Sequence, residues 1–412
     1  VIKYLYLTAL LCCAWSGGAA TLKVCGTCNL KGIGQAIAQA QPGDIIHVAE
    51  GVYTEYDLNI EKPLTIHGEP GALINIDHKG FGFIVKAPHT TISGMALQNV
   101  KTGSIKDYAA ISVHETHHVT LRNNTIEGAF FGIHLFGVSH FTIQGNQVKG
   151  TVGQKMLANG IHTQNSRRGA ITNNRVLYCR DGIYLEFTDS TVVEHNLVRA
   201  NRRYGLHYMF SNHDDYRHNT FDKNEAGVAV MYSSHITMEH NAFTNNWGTA
   251  SYGLLLKDID DCRVYANTFD HNTSALFMDG SNRVQVLENT FRGSGWALRL
   301  LANCTQPEIN RNTFLGNVFD VATNGNPEIK SMRGNYWDKY RGYDLNKDSF
   351  GDVPFHPVSL YSVLVERQPE LITLHRSLIT NLIDWADRIL PTMTPPNLID
   401  IQPAMRALTY DH

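Results

Sequence analysis

The chain is predicted to be an all-β solenoid, a right-handed parallel β-helix, on the strength of two signals that recur in phase. The first is Asn-x-(Phe/Val/Ile), which starts at Asn124, Asn146, Asn174, Asn196, Asn219, Asn241, Asn267, Asn289 and Asn312 and closes at Asn335-Tyr-Trp337. Steps between these asparagines are 22, 28, 22, 23, 22, 26, 22, 23 and 23 residues, the mark of a tandem array. The second is a small residue followed by alternating apolar positions, as in Gly132-Ile-His-Leu135, Gly182-Ile-Tyr-Leu185 and Gly205-Leu-His-Tyr208. Alternation is the period of a strand, so each repeat holds at least two short strands and two turns. One such coil cannot bury its own apolar face, but coils stacked at the ~4.8 Å sheet spacing cover one another. The frame lacks the Leu-x-x-Leu-x-Leu of leucine-rich repeats and the 3.6-residue period of helical repeats. About ten to twelve coils are expected, wound right-handed by the crossover rule.

Residues 1–20 read as an export signal: Lys3, an apolar run from Tyr4 to Trp15, then Ser16-Gly-Gly-Ala-Ala20, with cleavage after Ala20. The β-helix domain with its N-terminal cap is expected over 21–357 and a helical tail over 358–412. Within the first, residues 29–41 form a short amphipathic helix with Ile33, Ala36, Ile37 and Ala40 on one stripe, stopped by Pro42-Gly43. Strands follow at Ile45–Val48, Gly51–Tyr53, Leu64–Ile66 and Leu73–Ile76, divided by Gly/Pro turns.

The repeated asparagines are read as structural, an amide ladder at a fixed turn in which each side chain bonds to the next coil. Past Trp337, the spacing of Asp344, Asn346, Asp348 and Asp352 resembles an EF-hand-like calcium loop. Ser349 stands where that loop wants glycine, and Phe355 where it wants a bidentate glutamate, so a plain Asp/Asn/Gly turn is the alternative. From Leu360 to Ile389 leucines and isoleucines recur at three- and four-residue steps, broken by Pro369, which predicts amphipathic helices that close the solenoid or dock on a partner.

Composition narrows the function. Hydrophobic residues make up 43%, charged residues 18%, and the formal net charge is −3, so no basic excess points to nucleic acid. Five cysteines follow the signal; Cys179, Cys262 and Cys304 read as buried thiols, while Cys25 and Cys28 have the spacing of a disulfide or a soft-metal pair.

Aligning the repeats gives two outward columns: His134, His162, Tyr184, His207, Ala229, Leu255, and Phe136, Gln164, Glu186, Met209, Met231, Lys257. Side chains at one phase in neighbouring coils lie about 5 Å apart, which lets His207, Met209 and Met231, with Glu186 or His162, converge on one ion. Imidazole with thioether is a donor set that favours copper, Cu(I) above all. Nearby loops add His213. The other use of such a face is chemistry on uronic acid polymers by an epimerase or lyase, with Phe130, Phe131, Phe136, Tyr184, Tyr204 and Tyr208 stacking on sugars, but no matched acid/base pair is evident.

Four segments carry a resemblance: Ile33 to Tyr53 (IGQAIAQAQPGDIIHVAEGVY), Arg203-Tyr-Gly-Leu-His-Tyr-Met-Phe-Ser-Asn212, Gly334-Asn-Tyr-Trp-Asp338, and Pro357-Val-Ser-Leu360 with Val365-Glu-Arg367. Together they resemble the NosD family, periplasmic maturation factors of nitrous oxide reductase. The resemblance implies a non-enzymatic periplasmic protein that supports copper-centre assembly with an ABC permease and ATPase, a copper chaperone and the reductase, and meets the membrane through those partners. ATP hydrolysis then belongs to a partner subunit.

Overall fold

In a computed structural model, residues 19–103, 105–151, 158–375, 377–389 and 394–408 are described. Most of the expected export signal therefore lies outside the described residues. Three parallel sheets of 14, 13 and 12 strands run the length of the solenoid, which makes about 13 turns. The count exceeds the expected ten to twelve because strands from Thr21–Val24 onward, before the regular array, already join the sheets. The first sheet runs from Thr21–Val24 to Ser331–Arg333, the second from Gly51–Tyr53 to Tyr336–Trp337, and the third from Leu58–Ile60 to Phe319–Ala322.

Every strand pairs in register with the strand one coil away, so repeat phase becomes spatial adjacency. Inside, the apolar residue of Asn-x-Phe forms a ring stack: Phe221, Phe243, Phe269, Phe291, Phe314 and Trp337 follow one another at 5.5, 4.6, 4.8, 4.9 and 4.1 Å. The asparagine ladder is continuous. Asn124 Nδ2 donates to Asn146 Oδ1 at 3.0 Å, and the same bond recurs from Asn146 to Asn174 and on to Asn312 and Asn335. These side chains are fully buried, so each amide must be paired. A second ladder, which the repeat scan missed, runs from Asn201 through Asn224, Asn246 and Asn272 to Ser294 and Asn317.

The small residue that opens each third-sheet strand is required by close approach. A Cβ on Gly205 would sit 2.5 Å from the carbonyl oxygen of Gly227 in the next coil.

Helix α1 (Ile33–Gln39) covers the N-terminal end with Ile33, Ala36 and Ile37. At the other end, α2 (Leu360–Arg367), capped by Ser359 Oγ accepting from the Ser362 amide, packs Tyr361 and Val365 on Phe319. A 3₁₀ turn, Pro369–Leu374, leads to α3 (Leu378–Ile389), which leaves Leu378, Ile379, Leu382 and Trp385 exposed. Residues 394–408 then return to the solenoid end, where Ala404 pairs with Tyr336. The tail is thus both a cap and an exposed helix.

Cys25 and Cys28 form a disulfide, which sets the soft-metal alternative for that pair aside. Cys179, Cys262 and Cys304 are buried free thiols. Burial pushes the first two up to about 12 and Cys304 to about 11, so they stay protonated and inert.

Candidate metal-handling face

The outward face of the third sheet carries the predicted columns in the predicted register. His134 pairs with His162, His162 with Tyr184, Tyr184 with His207 and His207 with Ala229; beside them Glu186 pairs with Met209 and Met209 with Met231. The rings lie flat on one another, His134 on His162 at 4.9 Å, His162 on Tyr184 at 4.6 Å and Tyr184 on His207 at 4.4 Å.

These residues face out of the solenoid yet are not exposed, with His207 at 5% and His162 at 6%. Stacking hides the ring faces, Phe131 lies 5.4 Å from His134, and Tyr204 covers His207 at 4.8 Å. Met209 and Met231 remain half-buried at the edge of the stack.

Two carboxylates flank the imidazoles. Asp181, wholly buried, accepts from Arg203 Nε at 2.7 Å, with Nη2 of the same guanidinium on its other oxygen, and lies 3.8 Å from His207 Nδ1. Burial pushes the Asp181 carboxyl up, but His207 and the Arg203 guanidinium outweigh it and hold it at about 2. At 3.8 Å His207 Nδ1 is beyond hydrogen-bond reach of Asp181. Glu186 lies 3.5 Å from His162 Nε2, and that ring holds its carboxyl below the usual range. Burial drives His134 down to about 3, with His162 and His114 adding to it, so it is neutral.

The nitrogens decide what this face can hold. Both ring nitrogens of His207 and of His162 are buried without a hydrogen-bond partner among the described residues. Most buried polar atoms have a partner, so these nitrogens call for one, an ordered water or an ion. Tyr184 Oη donates to Met209 Sδ at 3.5 Å, which ties the thioether to the ring stack. His207, with Met209 two residues on and Met231 one coil away, offers one imidazole and two thioethers, a set that suits a soft cation. His162 stands two coils from His207 with the Tyr184 ring stacked between them and does not converge with it.

The remaining predicted residues fall elsewhere. His213 is exposed at the corner after the His207 strand and stacks on His235 at 4.7 Å, away from the ring stack. Tyr208, counted among the outward aromatics, points into the core, as does Met238. In the loop after Trp337, Asp344 accepts from the amides of Lys347, Asp348 and Ser349, Asp348 from that of Phe350, and Asp352 from that of Leu345. Ser349 adopts φ 75°, taking up the turn that glycine makes in an EF-hand loop.

Sequence reading missed Asp181 and Arg203, although Arg203 heads the central motif. Asp181 immediately precedes the strand-opening Gly182, a position with no repeat signal of its own.

Comparison with known proteins supplies the family. Among solved structures the fold is similar to the surface adhesin PfbA of Streptococcus pneumoniae (TM-score 0.57, 11% identity, 71% of this chain and 87% of that one). It is also similar to a family 28 exopolygalacturonase of Yersinia enterocolitica (TM-score 0.55, 12% identity, 76% and 78% covered). Those likenesses show the parallel β-helix and nothing further. In sequence the chain is 27% identical over 371 residues to a "Probable ABC transporter binding protein NosD" of Stutzerimonas stutzeri, covering 85% of this chain and 84% of that one. A protein of the same description from Pseudomonas aeruginosa is 28% identical over 404 residues, with 91% and 93% covered. The family described as "Periplasmic copper-binding protein (NosD)" matches residues 71–202 and 151–342, and the chain accordingly belongs to the NosD family.

Proposed function

We propose that this chain is a non-enzymatic periplasmic accessory protein of an ABC transporter that holds and passes copper for the copper centres of nitrous oxide reductase. One observation carries the reading: His207 is buried with both ring nitrogens unpartnered among the described residues, one coil from Tyr184 and two residues from the Met209–Met231 pair. Copper enters as cargo. His207, Met209 and Met231 are its donors, Glu186 flanks it beside Met209, His162 stands beyond the Tyr184 ring, and His213 on the next corner is a transfer ligand. Imidazole and thioether donors suit Cu(I).

The names of the two relatives support association with an ABC transporter. In that setting a permease and its ATPase are the partners, hydrolysis belongs to the ATPase, and a copper chaperone supplies the ion. Residues 1–20 direct export, and among the described residues no helix is long and apolar enough to cross a membrane. The exposed face of α3 is the docking element for the permease. Asp344, Asn346, Asp348 and Asp352 form a calcium site that stiffens the loop ahead of the tail.

Competition titration with Cu(I) tests the reading. The His207→Ala/Met209→Ala double variant is expected to bind at least tenfold more weakly than the parent. Unchanged affinity removes this face from the account, and turnover of alginate or pectin by the purified protein establishes the enzymatic alternative instead.

A further inference from the structure

We propose that His89, His117 and His118 form an exposed, all-imidazole site for a divalent first-row cation, with Cu²⁺ bound tightest. The inference goes beyond the Cu(I) reading and does not depend on it. Among the described residues, these three are the only set of His, Cys, Asp or Glu side chains whose potential ligand atoms all lie within 4.8 Å of one another.

Local backbone produces the cluster. His117 and His118 are successive residues of the strand His117–Arg122, and successive strand residues normally point to opposite faces. Here His118 has φ 56°, the left-handed conformation that turns the chain between sheets, so both rings emerge on the outside. The same corner in the preceding coil holds His89 at φ 53°, and in the following coil His140 at φ 54°. Stacking therefore fixes His118 from both sides, at 4.9 Å from His89 and 4.8 Å from His140, with the latter rings 2° from parallel.

The nitrogen geometry admits an ion in place of a hydrogen bond. Nδ1 of His117 and Nδ1 of His118 are 2.8 Å apart. Two ligands at ~2.0 Å from a metal and at right angles to each other are separated by about that distance. Without an ion one ring must be the N–H tautomer and donate to the other; with one, both lone pairs are used.

Donor chemistry sets the class of cation. No thioether or thiolate is in the set, so the Cu(I) preference of the Met-bearing face is absent, and imidazole ligands follow the Irving–Williams order with Cu²⁺ at its peak. The two sites are also separated along the solenoid. The His117 strand and the strand after His207 are four coils apart in the first sheet, about 20 Å at the sheet spacing. A divalent ion is thus met at the surface near one end, away from the buried ring stack.

The test is calorimetric titration of the full exported chain with Cu²⁺, paired with electron paramagnetic resonance. The parent is expected to bind one equivalent with nitrogen hyperfine structure, and the His89→Ala/His118→Ala variant to bind it at least tenfold more weakly. The His207→Ala/Met209→Ala variant should keep the Cu²⁺ equivalent, so this proposal and the Cu(I) proposal fail independently. His195→Ala/His218→Ala, in another exposed histidine stack with rings 5.0 Å apart, controls for generic surface imidazole. Unchanged affinity in the His89/His118 variant, or equal loss in the control, overturns the proposal. The substituted rings are exposed, and an unaltered unfolding midpoint shows that the fold is intact.

Discussion

Asp400 closes the asparagine ladder at Asn335: its Oδ2 accepts from Asn335 Nδ2 at 2.9 Å and from the Asn335 amide at 3.0 Å, as the side chain of one more coil would. The same oxygen accepts from Trp337 Nε1 at 3.0 Å. A ladder of identical amides has an unsatisfied end, and here the returning tail supplies an acceptor where the repeat stops.

Replacing Asp400 with alanine should therefore strand three buried donors. Each unsatisfied group costs about 1–3 kcal/mol, so a loss of several kcal/mol is expected at the C-terminal end. Asp400→Asn, which keeps an acceptor oxygen, should recover most of it. Hydrogen exchange at Asn335 to Trp337 reads the effect locally, and protection equal to the parent's in Asp400→Ala contradicts this role.

Gly205→Ala should open the coil beneath the candidate metal-handling face. The added Cβ meets the Gly227 carbonyl at 2.5 Å and Asn224 Nδ2 at 2.8 Å, both inside normal contact. Overpacking of this kind costs about 1–3 kcal/mol. Because His207 is two residues away on the same strand, Cu(I) affinity should fall along with the denaturation midpoint. A variant with unaltered midpoint and affinity shows that the coils tolerate the spacing.

His134 predicts an acid-sensitive step. Its value falls from 6.5 to about 3 on folding, through burial first and then the neighbouring His162 and His114 rings. Below 6.5 the unfolded chain takes up a proton that the folded chain refuses, so stability present above that pH is lost as the pH falls toward 3. His134→Phe, which preserves a flat ring against Phe131, should flatten the dependence of the unfolding midpoint between pH 6.5 and 4. Asp181, held at about 2 against 3.8, adds a separate loss only below about pH 4. Identical pH slopes for parent and variant argue against the first assignment.

Helix α3 offers a surface test. Leu378, Leu382 and Trp385 are 81%, 64% and 64% exposed, so Leu382→Glu/Trp385→Glu should change stability by no more than about 0.5 kcal/mol. Co-purification with the permease should nevertheless fall at least tenfold. Retained association locates the docking surface elsewhere on the chain.

Much of the fold, and the columns of the candidate face, were legible in the chain alone, for one physical reason. In-register parallel stacking turns repeat phase into adjacency, so aligning Gly160, Gly182 and Gly205 suffices to set His162, Tyr184 and His207 side by side, and Glu186 next to Met209. Only the tertiary structure decided the rest. The outward imidazoles are buried because ring faces stack between coils, a consequence of distance that polarity does not encode. Asp181 and Arg203 meet from successive coils without a recurring pattern to announce them. His117 and His118 share a face because a corner residue adopts positive φ, which cancels strand alternation. Asp400 reaches Asn335 across 65 residues, since the chain must come back to satisfy the last amide of a ladder that the repeat itself cannot end.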